Sequence, residues 1–146
     1  MKSEWRNNLR EMLKTSEKLS LKPYRCPAGY LTIGYGHNLE VHEITREEAE
    51  QFLDKDMKSA ENQCRARLPF NFDELEDVRK AVLVDMCFNM GIGGLLGFRK
   101  ALAAIAEKNW IRASAEMLDS KWAVQVGGRA ATLANMMAYG KWPEKK

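Results

Sequence analysis

The sequence predicts an α+β fold, with one small mixed lobe, a long connecting helix and a helical lobe, on three observations. Apolar residues recur at helical spacing before residue 18 and again from about residue 46 onward. Between them, Pro23, Pro27, Gly29, Gly34 and Gly36 punctuate short runs of Tyr, Leu, Thr and Ile, the texture of a small twisted sheet. The length of 146 residues suits one compact domain with a substantial core, without a second independent one.

The elements follow in order. Trp5, Leu9, Met12 and Leu13 define an amphipathic helix over about 3–18, with Ser3 as its N-cap and Glu17 at the edge of its apolar face. Pro27-Ala28-Gly29 reads as a turn between two strands of lobe 1, which spans about 13–45. Thr45 and Glu48 form a capping box, and Ala49, Phe52, Leu53, Met57, Ala60 and Cys64 continue a connecting helix over about 46–67. The remainder, about 69–146 together with the N-terminal helix, is the helical lobe. Its core helix runs from Asp73 to Met90 and ends in Gly91 to Gly94. Further helices are expected near Phe98–Glu107, Trp110–Ser120 and Arg129–Tyr139, with Asn109 as a cap and Gly127-Gly128 between the last two. Two lobes joined by a helix would leave a cleft between them.

Composition narrows the function. Hydrophobic residues make up 45% and charged residues 29%, which is ordinary globular usage. The net charge of +3 comes from interleaved charges rather than a basic block, so nucleic acid is not an expected partner. Cys26, Cys64 and Cys87 are odd in number and widely spaced, which suggests neither a disulfide framework nor a metal site. No run approaches the roughly 18 apolar residues of a membrane span, and the first residues lack a signal-peptide core. A cytoplasmic monomer without stable membrane insertion is expected.

A carboxyl at the edge of an apolar helix face can be desolvated, which raises its pKa and keeps a proton for general acid work. By itself Glu17 is more simply a solvated residue near a helix end. Its neighbours carry more information. The stretch from Glu17 to His37 resembles the active-site segment of the T-even phage lysozymes, glycoside hydrolase family 24. That pattern is a Glu, eight residues, an Asp or in some members a Cys, five residues, a Thr, and then I-G-x-G-H. Glu17, Cys26 and Thr32 stand at those intervals, and Ile33-Gly34-Tyr35-Gly36-His37 completes the run. Ile44 to Ala49, Phe88-Asn89-Met90-Gly91, and Ser120-Lys121-Trp122 with Arg129 are similar to later family segments, so the likeness spans nearly the whole chain. The stretch from His37 to Ile44 is short for the family.

The resemblance implies a lysozyme-like fold and a peptidoglycan-cleaving endolysin that needs no cofactor and no metal. The bond cut would be the β-1,4 link between N-acetylmuramic acid and N-acetylglucosamine. The enzyme would wait in the host cytoplasm for a holin-type lesion before reaching the periplasmic wall. Glu17 would protonate the glycosidic oxygen as an oxocarbenium-like state forms. Thr32 would position water or a sugar hydroxyl, His37 would give structural support, and Arg129 resembles the arginine that pairs with the catalytic glutamate. Phe88, Asn89, Trp122 and Gln125 are the implied substrate contacts.

Cys26 departs from the commoner Asp. As a thiolate it could stabilise positive charge, orient water or attack the sugar; as a thiol it is a small residue beside Pro27. An ordinary cysteine titrates near pH 8.5, so a cation such as Lys22 or Arg25 would be needed to form thiolate at neutrality. With one carboxyl and one thiol, carboxylate separation no longer indicates inversion or retention. Cys64 and Cys87 read as core packing. Two other functions share the scaffold: a lytic transglycosylase using the same acid, and a non-catalytic wall-binding protein.

Overall fold

The computed structural model describes residues 3–144; the outer limits of the expected domain, Met1 and Lys146, lie outside them. The elements are α1 (Glu4–Glu17), β1 (Ser20–Arg25), β2 (Leu31–Gly34), β3 (His37–Asn38), α2 (Arg46–Arg67), α3 (Asp77–Leu96), α4 (Arg99–Ala106), α5 (Trp110–Leu118), α6 (Lys121–Val126) and α7 (Gly128–Tyr139). This is the α+β, lysozyme-like architecture that the sequence predicts. The chain forms two compact units, Met1–Gln51 and Phe52–Lys146. Contacts group α1 with the sheet, whereas the sequence pattern assigns that helix to the helical lobe.

In the first unit, α1 follows an extended Ser3. The expected side-chain cap is not made: the Ser3 hydroxyl accepts from Arg6 Nη1 at 2.9 Å instead. The three strands form an antiparallel sheet in sequential order. Tyr24 pairs with Thr32 and Arg25 with Leu31, while an irregularity between Ser20 and Tyr24 coincides with Pro23, which has no N–H to give the ladder. β2 and β3 pair through Thr32–Asn38 and Ile33–His37. The capping box forms as expected: Thr45 N–H donates to Glu48 Oε1 at 2.9 Å, and Glu48 N–H donates to Thr45 Oγ1 at 3.1 Å. The long helix then runs over the predicted residues.

The second unit holds the hydrophobic core, built from α2 residues such as Cys64 through Val82, Leu83 and Met86 to Leu133 and Met137. One expectation is corrected here. The core helix does not start at Asp73: Phe72–Glu74 form a 3-10 turn capped by Asn71, whose side chain accepts from Asp73 N–H at 3.1 Å, and α3 starts at Asp77. The expected break at the glycine run is met at its first member: Gly91 leaves the helical region, at φ 79°, and a second helical stretch follows to Leu96. A helix missed by periodicity, α6, is six residues long, too short for a repeat to show, and is set by Ser120, which accepts from Ala123 N–H at 3.1 Å.

Buried Arg79 ties this unit together. Its Nε donates to the Met137 carbonyl at 2.8 Å, it pairs with Glu76, and its guanidinium lies 4.0 Å from the Trp110 ring centre. Among the described residues no single helix is long and apolar enough to cross a membrane.

Candidate active site

Glu17 is the last residue of α1, and Lys18 at φ 52° turns the chain toward β1. The carboxyl group rests on the β2–β3 connection: a Cβ on Gly36 would come within 2.5 Å of Glu17 Oε2. Gly36 also has φ 71°, so close approach and backbone conformation both require glycine at this point of the motif. Lys14, one turn earlier, lies 5.8 Å from the Tyr35 ring centre, a second link between α1 and the same turn. Glu17 is exposed, so the desolvation expected from its helix edge is not provided within the first unit.

Cys26 is half-buried at the end of the first hairpin strand. Its own N–H donates to the Tyr30 carbonyl at 2.9 Å, and its carbonyl accepts from Gly29 N–H at 2.8 Å, closing the predicted Pro27-Ala28-Gly29 turn. The Tyr30 backbone lowers the Cys26 pKa most; partial burial opposes it, and the Ala28 backbone, the Thr32 hydroxyl and the Gly29 backbone add to the lowering. Lys22 and Arg25 are not among these causes. Arg25 is committed elsewhere, at 3.2 Å both from Glu40 Oε2 and from the Gly29 carbonyl. The thiol is thus tuned by the peptide groups of its own turn, a collection of donors of the kind that favours anions.

Thr32 sits opposite Tyr24 in the sheet and is only 3% exposed. Its hydroxyl donates to the Tyr30 carbonyl at 2.9 Å and adds to the lowering of the Cys26 pKa. His37 lies on β3 opposite Ile33, with its Nε2 buried and unpartnered among the described residues. Its ring centre is 6.4 Å from that of His42. The Glu48 carboxyl is held below its ordinary range chiefly by the Thr45 backbone, then by the Thr45 hydroxyl, with a smaller contribution from His37. Glu17, Cys26, Thr32 and His37 therefore share the first unit.

The other expected site residues fall in the second unit. Trp122 is 7% exposed, donates its Nε1–H to Asn89 Oδ1 at 2.9 Å and meets Phe98 edge-on at 5.7 Å. Its faces are used in packing, and Asn89 holds it in place. Phe88, 45% exposed on α3, and Gln125 on α6 are open to solvent. Arg129 donates through Nε to Asp85 Oδ1 at 2.9 Å. Asp85 and Glu40 were not singled out from sequence. Each is an acidic residue whose partner is far along the chain, so no local pattern marks it.

A helix ending in an acid against a glycine turn, a three-stranded antiparallel sheet carrying the first hairpin, and a separate helical unit define a lysozyme-like protein of the α+β class. The chain belongs to the phage lysozyme family, whose sequence model matches residues 14–137. It is 28% identical to probable T4-type lysozyme 1 of Dictyostelium discoideum, across 92% of this chain and 95% of that protein. It is 30% identical to an endolysin of Acyrthosiphon pisum secondary endosymbiont phage 1, across 86% of this chain and 85% of the relative. The pre-baseplate central spike protein of Enterobacteria phage T4 is 26% identical over 91% of this chain and 28% of its own length.

Proposed function

We propose that this chain is an endolysin that hydrolyses the β-1,4 bond between N-acetylmuramic acid and N-acetylglucosamine and thereby lyses a bacterial host. The observation that supports this best is the shared placement of Glu17, Cys26 and Thr32 in the first unit, with the Glu17 carboxyl seated on Gly36. Glu17 donates its proton to the glycosidic oxygen as the bond to the anomeric carbon breaks, and the leaving sugar departs as an alcohol. Positive charge then develops on the remaining ring. The Cys26 thiolate, favoured by surrounding donors, faces that charge and either adds to the anomeric carbon or orients a water molecule. Water supplies the new hydroxyl in both routes, and its proton returns to Glu17 directly or through solvent. Thr32 can give its single hydroxyl proton to the sulfur or to the Tyr30 carbonyl, so it positions Cys26.

His37, paired with Ile33 through the β2–β3 ladder, is a supporting residue rather than a participant in bond breaking. Phe88 and Gln125, both exposed, are the second-unit side chains available to a glycan strand. In this reading the enzyme accumulates in the host cytoplasm and acts once a membrane lesion admits it to the wall.

The test is mass spectrometry of purified peptidoglycan digested in 18O-labelled water. Reducing muramic ends carrying one labelled oxygen are expected. Unlabelled anhydro ends would replace hydrolysis with transglycosylation, and intact glycan would leave a wall-binding protein.

A further inference from the structure

Outside the residues just described, the second unit carries a groove of about 640 Å³ along α2, lined among others by Lys55, Lys58, Asn62, Gln63, Arg67 and Ile92. The α2 positions recur at three- and four-residue steps, so they share one face of the helix. Asp54, Asp56 and Glu61 do not line it. Glu61 is drawn instead to Arg65, at 3.0 Å, and Arg65 also holds Asp73 at 2.9 Å. Among the described residues, Lys55, Lys58 and Arg67 form no ion pair, so three cations and no acidic side chain line this groove.

The uncharged lining combines polar Ser59, Asn62 and Gln63 with apolar Ala66 and Ile92. Asn62 Oδ1 accepts from Arg65 at 3.4 Å, which leaves its amide N–H groups for a ligand. Gln63 donates to Ser59 Oγ at 3.1 Å, which leaves its carbonyl. A donor and an acceptor of this kind match a peptide backbone. Ala66 and Ile92 supply methyl surface suited to small side chains. Lys55 and Arg67 are about 18 Å apart along the axis at roughly 1.5 Å per residue. An extended peptide of four residues at roughly 3.3 Å each covers about 13 Å of that span, and the long Lys and Arg side chains reach toward its ends.

We infer that this groove binds a short acidic peptide laid along α2, its carboxylates facing Lys55, Lys58 and Arg67 and its small apolar side chains on Ala66 and Ile92. On the reading of the chain as a peptidoglycan hydrolase, on which the identity of the ligand rests, that peptide is the carboxylate-bearing stem attached to the glycan. The apolar floor and the paired amide groups favour a peptide over a phosphate polymer.

The probe is the N-acetylated stem tetrapeptide, L-alanyl-γ-D-glutamyl-meso-diaminopimelyl-D-alanine, titrated into the 15N-labelled full chain. Saturable shifts are expected at the amides of residues 55–67 and Ile92. The Lys55→Glu/Lys58→Glu variant should weaken binding about tenfold or more, on the scale of two exposed ion pairs lost and two repulsions gained. Lys55→Gln/Lys58→Gln, which keeps side-chain length without reversing charge, should lie between. Absence of saturable shifts, equal affinity in all three proteins, or tighter binding of inorganic tripolyphosphate at the same amides would overturn the inference. Cleavage of peptide-free glycan strands should be equal in the three proteins. If none cleaves, the catalytic reading fails, while the titration still decides the groove.

Discussion

The two units of this chain are built on different physics. In Phe52–Lys146, a continuous set of buried apolar side chains runs from Ala60 to Met137, with Cys64, Val82, Leu95 and Met137 fully enclosed. In the first unit, Thr32 is the one buried residue among those described, and large apolar side chains such as Leu21, 81% exposed, remain at the surface. The first unit is held by a hairpin, a turn and a capping box, while the second is held by packing. The consequence is an expected division of labour: the candidate groups Glu17, Cys26 and Thr32 belong to the unit with few buried residues, and the buried apolar set belongs to the other.

That division can be broken or sharpened by experiment. The largest effect is expected at Glu17. Glu17→Gln keeps the side-chain shape against Gly36 but removes the transferable proton, and should lower kcat on peptidoglycan by about 10² to 10⁴-fold with an unchanged melting temperature. A comparable loss of stability would show that the acid also holds the first unit together.

The second unit should respond in the opposite sense. Leu83→Ala empties a site that is 1% exposed and should cost about 2–5 kcal/mol in urea unfolding. The kcat of the protein that remains folded should be little altered. A cost below about 1 kcal/mol would mean that the core collapses around the cavity.

The cysteines separate the units by pH. Cys26, with its pKa lowered by the Tyr30 backbone and its neighbours, should react with iodoacetamide below the ordinary thiol titration near pH 8.5, and its modification should inhibit. Burial, followed by the nearby Cys87, pushes Cys64 up to about 12, so Cys64 should resist the reagent while the protein is folded. The sign for stability follows from the same shift. The unfolded thiol ionises near pH 8.5 and the folded one near 12, so the folded state holds more protons across that window. Stability is then fully present below the window and falls as pH rises through it. Peptide mapping after alkylation at pH 7 and pH 9.5 checks both statements, and labelling of Cys64 ahead of Cys26 would refute them.

The smallest effect is expected at the start of α2. Thr45→Ala removes half of the capping box and should cost about 1 kcal/mol, read from hydrogen exchange at the first amides of the helix. Exchange in α5 and α7 should be unaffected.

The sequence by itself determined what depends on neighbours along the chain. Helical periodicity located α2 to the residue because a strong cap precedes it and a long repeat follows. The Cys-Pro-Ala-Gly stretch declared its turn through residue types that favour one. The candidate site at Glu17, Cys26 and Thr32 came from the resemblance of their spacing to the phage lysozyme pattern, which is a local feature of the chain. Where local signals are weak the sequence says less: α6 is too short for periodicity, and glycines at 91–94 permit a break without specifying which of them takes it.

Only the tertiary structure decided the electrostatics and the partners. Composition offers Lys22 and Arg25 as cations for Cys26, but the folded turn supplies backbone donors and gives Arg25 to Glu40. Trp122 reads as a sugar-stacking aromatic, yet Asn89 and Phe98 enclose it. Arg129 reaches Asp85 across 44 residues of chain. Hydrogen bonds and ion pairs act over a few ångströms in space, and sequence separation carries no information about that distance until the chain is folded.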